Sequence, residues 1–325
     1  MEKNTIVVQV TANDSAICNL ESLIIDISYA MSNDDPIDIY IEGLDIKATG
    51  LYRHLEYCAD KFGYDLARIS ITSENLFETH SSIAVSYIPP IHFARRIIEK
   101  TSNSTLIKND LIKHFGMFVG RSNAPRLLLA TYLNKCNDKT VRSFHYDLHN
   151  VYHRPHIGLE EITKSFNISD ISNEAKFLSL CPISLDDQEM RYPMTGVGYN
   201  HDLISYYKDF FVEIVCETFY TGDTFFPTEK TWRPIAMKTP FIIQGPEWYL
   251  RNLQRLGFKT FGNFWDEGYS EDPPSHAILE IKKVIDTISN LSIAELNAMY
   301  RDMQPILEHN YNTLLNLKAE DFLVL

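Results

Sequence analysis

The chain has 325 residues, 45% of them hydrophobic and 12% aromatic, which excludes a disordered or fibrous protein and supplies apolar side chains for two domains or one large one. Its formal net charge of −13 removes the global positive field that binding nucleic acid chiefly through phosphates requires, while leaving room for a local basic site. The five cysteines, Cys18, Cys58, Cys136, Cys181 and Cys216, are dispersed, odd in number and without a C-x-x-C, so a disulfide framework and a zinc ribbon are excluded and a reducing cytoplasm is expected.

The first residues run into a short β-type stretch, Thr5 to Val10, too short for a signal-peptide core. No apolar run reaches the roughly 20 residues that span a bilayer. A helix is predicted around 15–32, then a strand IDIYI (37–41), a helix around 48–63, strands RISIT (68–72) and IAVSY (83–87), and a helix from His92 to Lys100. This βαβα alternation is the pattern of a parallel, doubly wound sheet. The polar stretch 101–110 reads as a connection.

A second series follows: strand FGMFV (115–119), a helix from Ala124 to Cys136, strand VRSFHY (141–146), and a less regular section to Met194. Strand FFVEIVCE (210–217) resumes the pattern. A helix then opens at Glu229, PFII (240–243) is a strand, and 247–257 is an amphipathic helix ended by Gly257. FKTF (258–261) is predicted as a strand. Two helices, 275–290 and 292–309, close the chain, the last announced by the capping-box pair Ser292 and Glu295. The predicted fold class is therefore α/β, with two Rossmann-like domains, 1–110 and 111–325, facing a cleft. Ligands of open α/β sheets sit beyond the carboxyl ends of the strands.

Several reaction classes lose support. The chain has no G-x-G-x-x-G, Walker motif, H-E-x-x-H or G-x-S-x-G. No two aspartates are separated by one residue, so the D-x-D that holds a divalent ion against a sugar diphosphate is missing. Protein cations must then neutralise any diphosphate. From Phe225 to Thr260 there are six basic residues (Lys230, Arg233, Lys238, Arg251, Arg255, Lys259) and two acids (Glu229, Glu247), against the acidic average. Thr228 is placed to cap a helix opening at Glu229. Such an N-terminus offers free N–H groups to an anion, and Lys230 adds a full charge. Glu229 can accept two ribose hydroxyls.

The stretches FVGRSNAPRLLLATYL (118–133) and FVEIVCETFYTGDTFFPTEKTWRPIAMKTPFIIQGP (211–246) resemble the donor-binding region of the α1,3/4-fucosyltransferase family. There a strand, an S-N turn and a helix carrying an arginine precede a strand ending in glutamate, a TEK motif opening a helix, and a G-P turn. The resemblance implies Arg126 and Lys230 on a nucleotide diphosphate, and Glu217 and Glu229 on ribose or sugar hydroxyls. Thr228 and Arg233 complete the candidate donor-binding set. The family's E-N-S stands here as Glu217-Thr218-Phe219, and the segment to TEK is longer, so the sugar is left open.

The resemblance implies inverting, metal-independent transfer of a sugar from a nucleotide-sugar co-substrate to an acceptor hydroxyl, with no further cofactor. The general base belongs to the first domain at a strand's carboxyl end, where Glu42 and Glu74 are the candidates. The acceptor is a carbohydrate or another hydroxyl. A hydroxymethylated DNA base is less favoured by the charge, and a non-catalytic nucleotide- or sugar-binding module is the alternative from another class. His145, His149, His153 and His156 could bind a transition metal if helical, line the cleft, or lie on the surface; Pro155 and Arg154 oppose the first. Trp232 and Trp265 are expected to pack in the core, and 261–274 to form a loop over the cleft edge.

Overall fold

The computed structural model describes residues 6–10, 12–13, 16–17, 20–102, 111–120, 122–145, 157–185 and 203–325. The first half begins with strand β1 (Ile6–Val10), a small antiparallel hairpin β2 (Ala12–Asn13) and β3 (Ala16–Ile17), and helix α1 (Leu20–Ser32). The predicted helix 15–32 thus starts later, the hairpin taking its first residues. Strand β4 (Ile37–Ile41), helices α2 (Ile46–Thr49) and α3 (Leu51–Phe62), strands β5 (Ile69–Ser73) and β6 (Ala84–Tyr87), and helix α4 (Ile91–Thr101) follow. The helix expected over 48–63 is broken at Gly50, whose φ of 77° lies outside any right-handed helix. Asp45 caps α2 by accepting from the Ala48 N–H at 3.0 Å.

The first sheet is parallel in the order β1-β4-β5-β6. Strands laid down in one direction by right-handed crossovers place their helices on one face. Accordingly Ile37, Ile39, Ile41, Ile69 and Ile71 are buried, while Asp38, Ala84 and Ser86 on the other face are exposed.

The second half contains β7 (Lys113–Val119), α5 (Ala124–Leu133), β8 (Thr140–Phe144), α6 (Ile157–Ser165), α7 (Ser172–Leu178), α8 (Leu203–Tyr206), β9 (Phe210–Cys216), α9 (Glu229–Ala236), β10 (Phe241–Gln244), α10 (Tyr249–Arg255), α11 (Pro274–Ser289) and α12 (Ile293–Asn316). Its sheet is parallel in the order β10-β9-β7-β8. β9 and β10 are buried throughout, as strands covered on both faces must be. The predicted α/β class with two parallel sheets and C-terminal helices is what the structure shows. No helix among the described residues is long and apolar enough to cross a membrane.

Two expectations are corrected. FKTF is not a strand: the Asn310 side chain of α12 takes a strand's place, accepting from Lys259 N at 2.7 Å and donating to Lys259 O at 2.8 Å. The run 261–274, expected only as a loop, contributes to the core. Phe261, Trp265 and Tyr269 are core residues, and Trp265 meets Phe211 at the amino end of β9 edge-on. Trp232 packs as expected, fully buried with its indole N–H on the Pro227 carbonyl. The Ser292–Glu295 capping box is present.

The halves are joined in two ways. Helix α4 follows the first sheet in sequence, yet Ile91, Ala94 and Ile97 are buried in the core of the second. In return, the loop between β9 and α9 sends Phe219 and Phe226 into the first core. There Thr224 donates to the Gly43 carbonyl, Asp223 N donates to Asp45 Oδ2 at 2.8 Å, and Asn75 Nδ2 donates to the Asp223 carbonyl at 2.8 Å. Gly43 has no room for a side chain, since a Cβ there would lie 2.2 Å from Phe226 Cγ. Gly43→Ala is expected to cost about 1–3 kcal/mol through this overpacking, read as a lower urea midpoint; an unchanged midpoint would show that the loop yields freely.

Candidate functional site

In the second sheet β7 is the first strand, β8 lies on one side of it and β9 on the other. The direction of strand addition therefore reverses between β7 and β9, and the crevice beyond their carboxyl ends is where open α/β sheets bind ligands. Arg126 bridges that point. The Asn123 side chain caps α5 by accepting from Arg126 N at 3.0 Å, and Pro125 in the first turn suits the helix start. From there the Arg126 guanidinium, 4% exposed, donates to the Glu217 carbonyl at 3.0 Å and reaches that of Cys216 at 3.5 Å.

Glu217 leaves the buried strand β9 and folds the next loop around its own charge. Its Oε1 accepts from Thr228 N (3.1 Å), Thr231 Oγ1 (2.7 Å) and Tyr249 OH (3.2 Å), and its Oε2 from Thr218 N (3.1 Å) and Thr228 Oγ1 (2.6 Å). Both oxygens are occupied by protein donors, so Glu217 holds the start of α9 against the end of β9 rather than standing open to a ligand. Thr228 caps α9, accepting from Lys230 N. Lys230 Nζ donates to Thr218 Oγ1 (3.0 Å), Thr228 Oγ1 (3.1 Å) and Glu229 Oε1 (2.8 Å), and its side chain is 21% exposed. Burial alone would raise the Glu229 pKa; the adjoining Lys230 ammonium, with Arg233 behind it, outweighs burial and holds the group ionised below the ordinary range.

Arg233 is not brought to the crevice. One turn along α9 from Glu229, it points into the cluster of Phe118, Leu203, Tyr207, Phe210 and Met237. Its guanidinium donates to Glu213 and to the Tyr207 hydroxyl and lies 5.3 Å from the Phe118 ring centroid. The sequence could not separate Lys230 from Arg233, because which helix face meets the sheet depends on the sheet.

Across from this half stand the two acids of the first domain. Glu42 follows β4 and is exposed. Glu74 follows β5 and is 3% exposed, with His92 Nδ1, at the start of α4, 3.6 Å from its Oε1. Burial raises the Glu74 pKa to about 7; a hydrogen bond from Tyr40 opposes the shift and the Glu42 charge adds to it. The Tyr87 hydroxyl, buried and without a hydrogen-bond partner, also feels the Glu74 charge. The His92 pKa is lowered by burial first and by Arg96, against the attraction of Glu229. His92 is thus within electrostatic reach of both Glu74 and Glu229, and it marks where the two halves converge. Tyr40, Tyr87 and His92 carry no motif; only Tyr40 was accessible from the sequence, two residues before Glu42 on the alternating strand IDIYI.

Ser122 Oγ, just past β7, and Gln244 Oε1, at the end of β10, are buried and lack hydrogen-bond partners. Both lie along the carboxyl edge of the second sheet. His145 is buried just past β8, its backbone N–H on the Val119 carbonyl at 2.8 Å. His149, His153 and His156 lie outside the described residues. Among the described residues no group of three or more His, Cys, Asp or Glu side chains is placed to hold a metal ion.

No family model matches the chain, and no curated protein matches it. Among solved structures it aligns with one described as the structure of Candida albicans trehalose-6-phosphate phosphatase N-terminal domain, at 10% identity and a TM-score of 0.42, over 98% of this chain and 68% of that one. A likeness at that level carries no argument about activity. The resemblance to fucosyltransferases therefore rests on the two sequence stretches alone.

Proposed function

We propose that the protein is a glycosyltransferase that moves a sugar from a nucleotide-sugar donor to an acceptor hydroxyl with inversion. The observation that carries this reading is His92, which lies 3.6 Å from the buried, near-neutral Glu74 and feels the charge of Glu229, the partner of Lys230 at the N-terminus of α9, beside the switch point of the second sheet. The acceptor hydroxyl attacks the anomeric carbon as Glu74 takes its proton. The bond from that carbon to the donor's phosphate oxygen breaks, and the electron pair leaves with the diphosphate. Lys230, the first turn of α9 and Arg126 stabilise that charge. A diphosphate drawing Lys230 away frees Glu229 to accept donor hydroxyls. Ser122 and Gln244 give the donor two further polar contacts, which a buried unpaired group favours by roughly 1 kcal/mol each. A carbohydrate is the favoured acceptor; the net charge of −13 weighs against nucleic acid. With no D-x-D in the sequence, leaving-group stabilisation is assigned to these protein cations.

Isothermal titration with a panel of nucleotide sugars, followed by a transfer or hydrolysis assay with the best binder, tests the reading. Lys230→Ala is expected to lower turnover by on the order of a hundredfold while the thermal transition barely moves; an unchanged rate would remove Lys230 from the mechanism. Activity is expected to survive EDTA. Binding without turnover would favour a nucleotide- or sugar-binding module instead. Ser122→Ala is expected to weaken donor binding about fivefold with no loss of stability, because the hydroxyl it removes has no partner in the protein.

A further inference from the structure

Helix α5 carries Arg126 at one end and a second feature at the other. Arg126 lies in its first turn, and Thr131, five residues or about 7.5 Å of axial rise further on, lines that feature. Beside its second half a cavity of about 350 Å³ opens between α5, α7 and α11, lined among others by Thr131, Lys135, Glu174, Lys176, Phe177 and Lys282. Three ammonium groups thus meet one carboxylate in a chain whose net charge is −13. Two of them meet one ring: Lys135 Nζ lies 4.1 Å, and Lys282 Nζ 5.2 Å, from the Tyr132 ring centroid. The nearby Asp286 carboxylate accepts from the Tyr132 hydroxyl at 2.6 Å and does not line the cavity. Burial lowers the Lys282 pKa; Glu174 pulls against that shift and Lys135 adds to it. With three lysines and one carboxylate in its lining, the cavity is short of negative charge.

It is also short of acceptors. Thr131 Oγ1 is buried with no hydrogen-bond partner. Behind the cavity wall Arg142 donates Nη2 to Asn134 Oδ1 at 2.7 Å and lies over the Phe177 ring, while its Nε and Nη1 are buried and unpartnered. One side of the cavity is apolar. Leu128 and Phe177 are buried there, and Leu180 stands 54% exposed at its rim.

We propose that this cavity binds a small dianionic oxyanion carried on a compact apolar body, an organic phosphate monoester. Three lysines against one glutamate leave two positive charges for the ligand to match. Phosphate oxygens diverge tetrahedrally and can meet several ammonium groups and the Thr131 hydroxyl at once, which the two oxygens of a carboxylate cannot. The apolar body covers Leu180, and the volume suits a small molecule. A concave pocket in an acidic protein does not suit a polyanion. The site is separate from the crevice, and the proposal stands whether or not the protein transfers sugars.

Calorimetry of the full chain with phenyl phosphate and with inorganic phosphate tests it. Phenyl phosphate is expected to bind more tightly than inorganic phosphate. Lys282→Ala and, independently, Lys135→Ala are expected to weaken phenyl phosphate by about tenfold or more with unchanged thermal transitions, and Lys230→Ala in the crevice to leave this binding in place. The absence of binding at millimolar phenyl phosphate would overturn the proposal. So would binding that Lys230→Ala abolishes and both pocket variants preserve, which would put the anion in the crevice.

Discussion

Glu74→Gln is expected to lower turnover by on the order of 10²- to 10⁴-fold while leaving the fold at least as stable above neutral pH. A glutamine is close in shape and keeps a polar group for Tyr40, but it cannot take a proton. Burial lifts the Glu74 pKa from 4.5 to about 7. A carboxyl whose folded pKa is raised contributes stability that is complete below about 4.5 and is lost as the pH rises through about 7. Glutamine has no such loss, so the stability difference shifts toward the variant across that window. Activity runs the other way: the base works ionised, so kcat/KM of the unmodified protein is expected to climb to a plateau above about pH 7. Urea denaturation at pH 5 and pH 8, paired with the pH–rate profile, reads both effects. A residue that only held the fold together would lose stability with its activity. Full activity in Glu74→Gln at pH 8 would move the base elsewhere, with Glu42 next in line.

The largest stability effect is expected from Arg233→Ala, about 3–5 kcal/mol. Arg233 is 4% and Glu213 1% exposed, and the Tyr207 hydroxyl, fully buried, bonds to both. Burial disfavours the Arg233 charge, but Glu213 and Tyr207 more than restore it and raise its pKa. Removing the guanidinium strands the Glu213 carboxylate in an apolar cluster, and that stranded charge is the source of the loss. Replacing both partners, with Arg233→Met and Glu213→Leu together, is expected to recover most of it. Urea midpoints at a constant slope measure the cycle. A loss under about 1 kcal/mol in the single variant would mean that solvent reaches the pair.

The strand–helix alternation was legible residue by residue, because period-two apolar runs such as IDIYI and nearly continuous ones such as FFVEIV, broken only by Glu213, report the number of covered faces directly. Caps were equally local: Thr228 and Ser292 act on N–H groups two or three residues away. For one segment a distant partner decided. FKTF has the composition of a strand, but Asn310, 51 positions from Lys259, supplies the hydrogen bonds that a strand would have needed.

Within the site the same division holds. The order of a capped helix start, an arginine after an S-N turn and a glutamate ending a buried strand could be read from the chain, because each is a local arrangement of backbone and side chain. The fate of each charge could not. Glu217 and Arg233 stand in the same motif as Glu229 and Lys230, yet five donors enclose the first and a buried carboxylate holds the second. Only tertiary structure chose Glu74 over Glu42 for burial and placed His92 between Glu74 and Glu229, since desolvation and long-range charge depend on what packs against a residue, not on its neighbours in sequence.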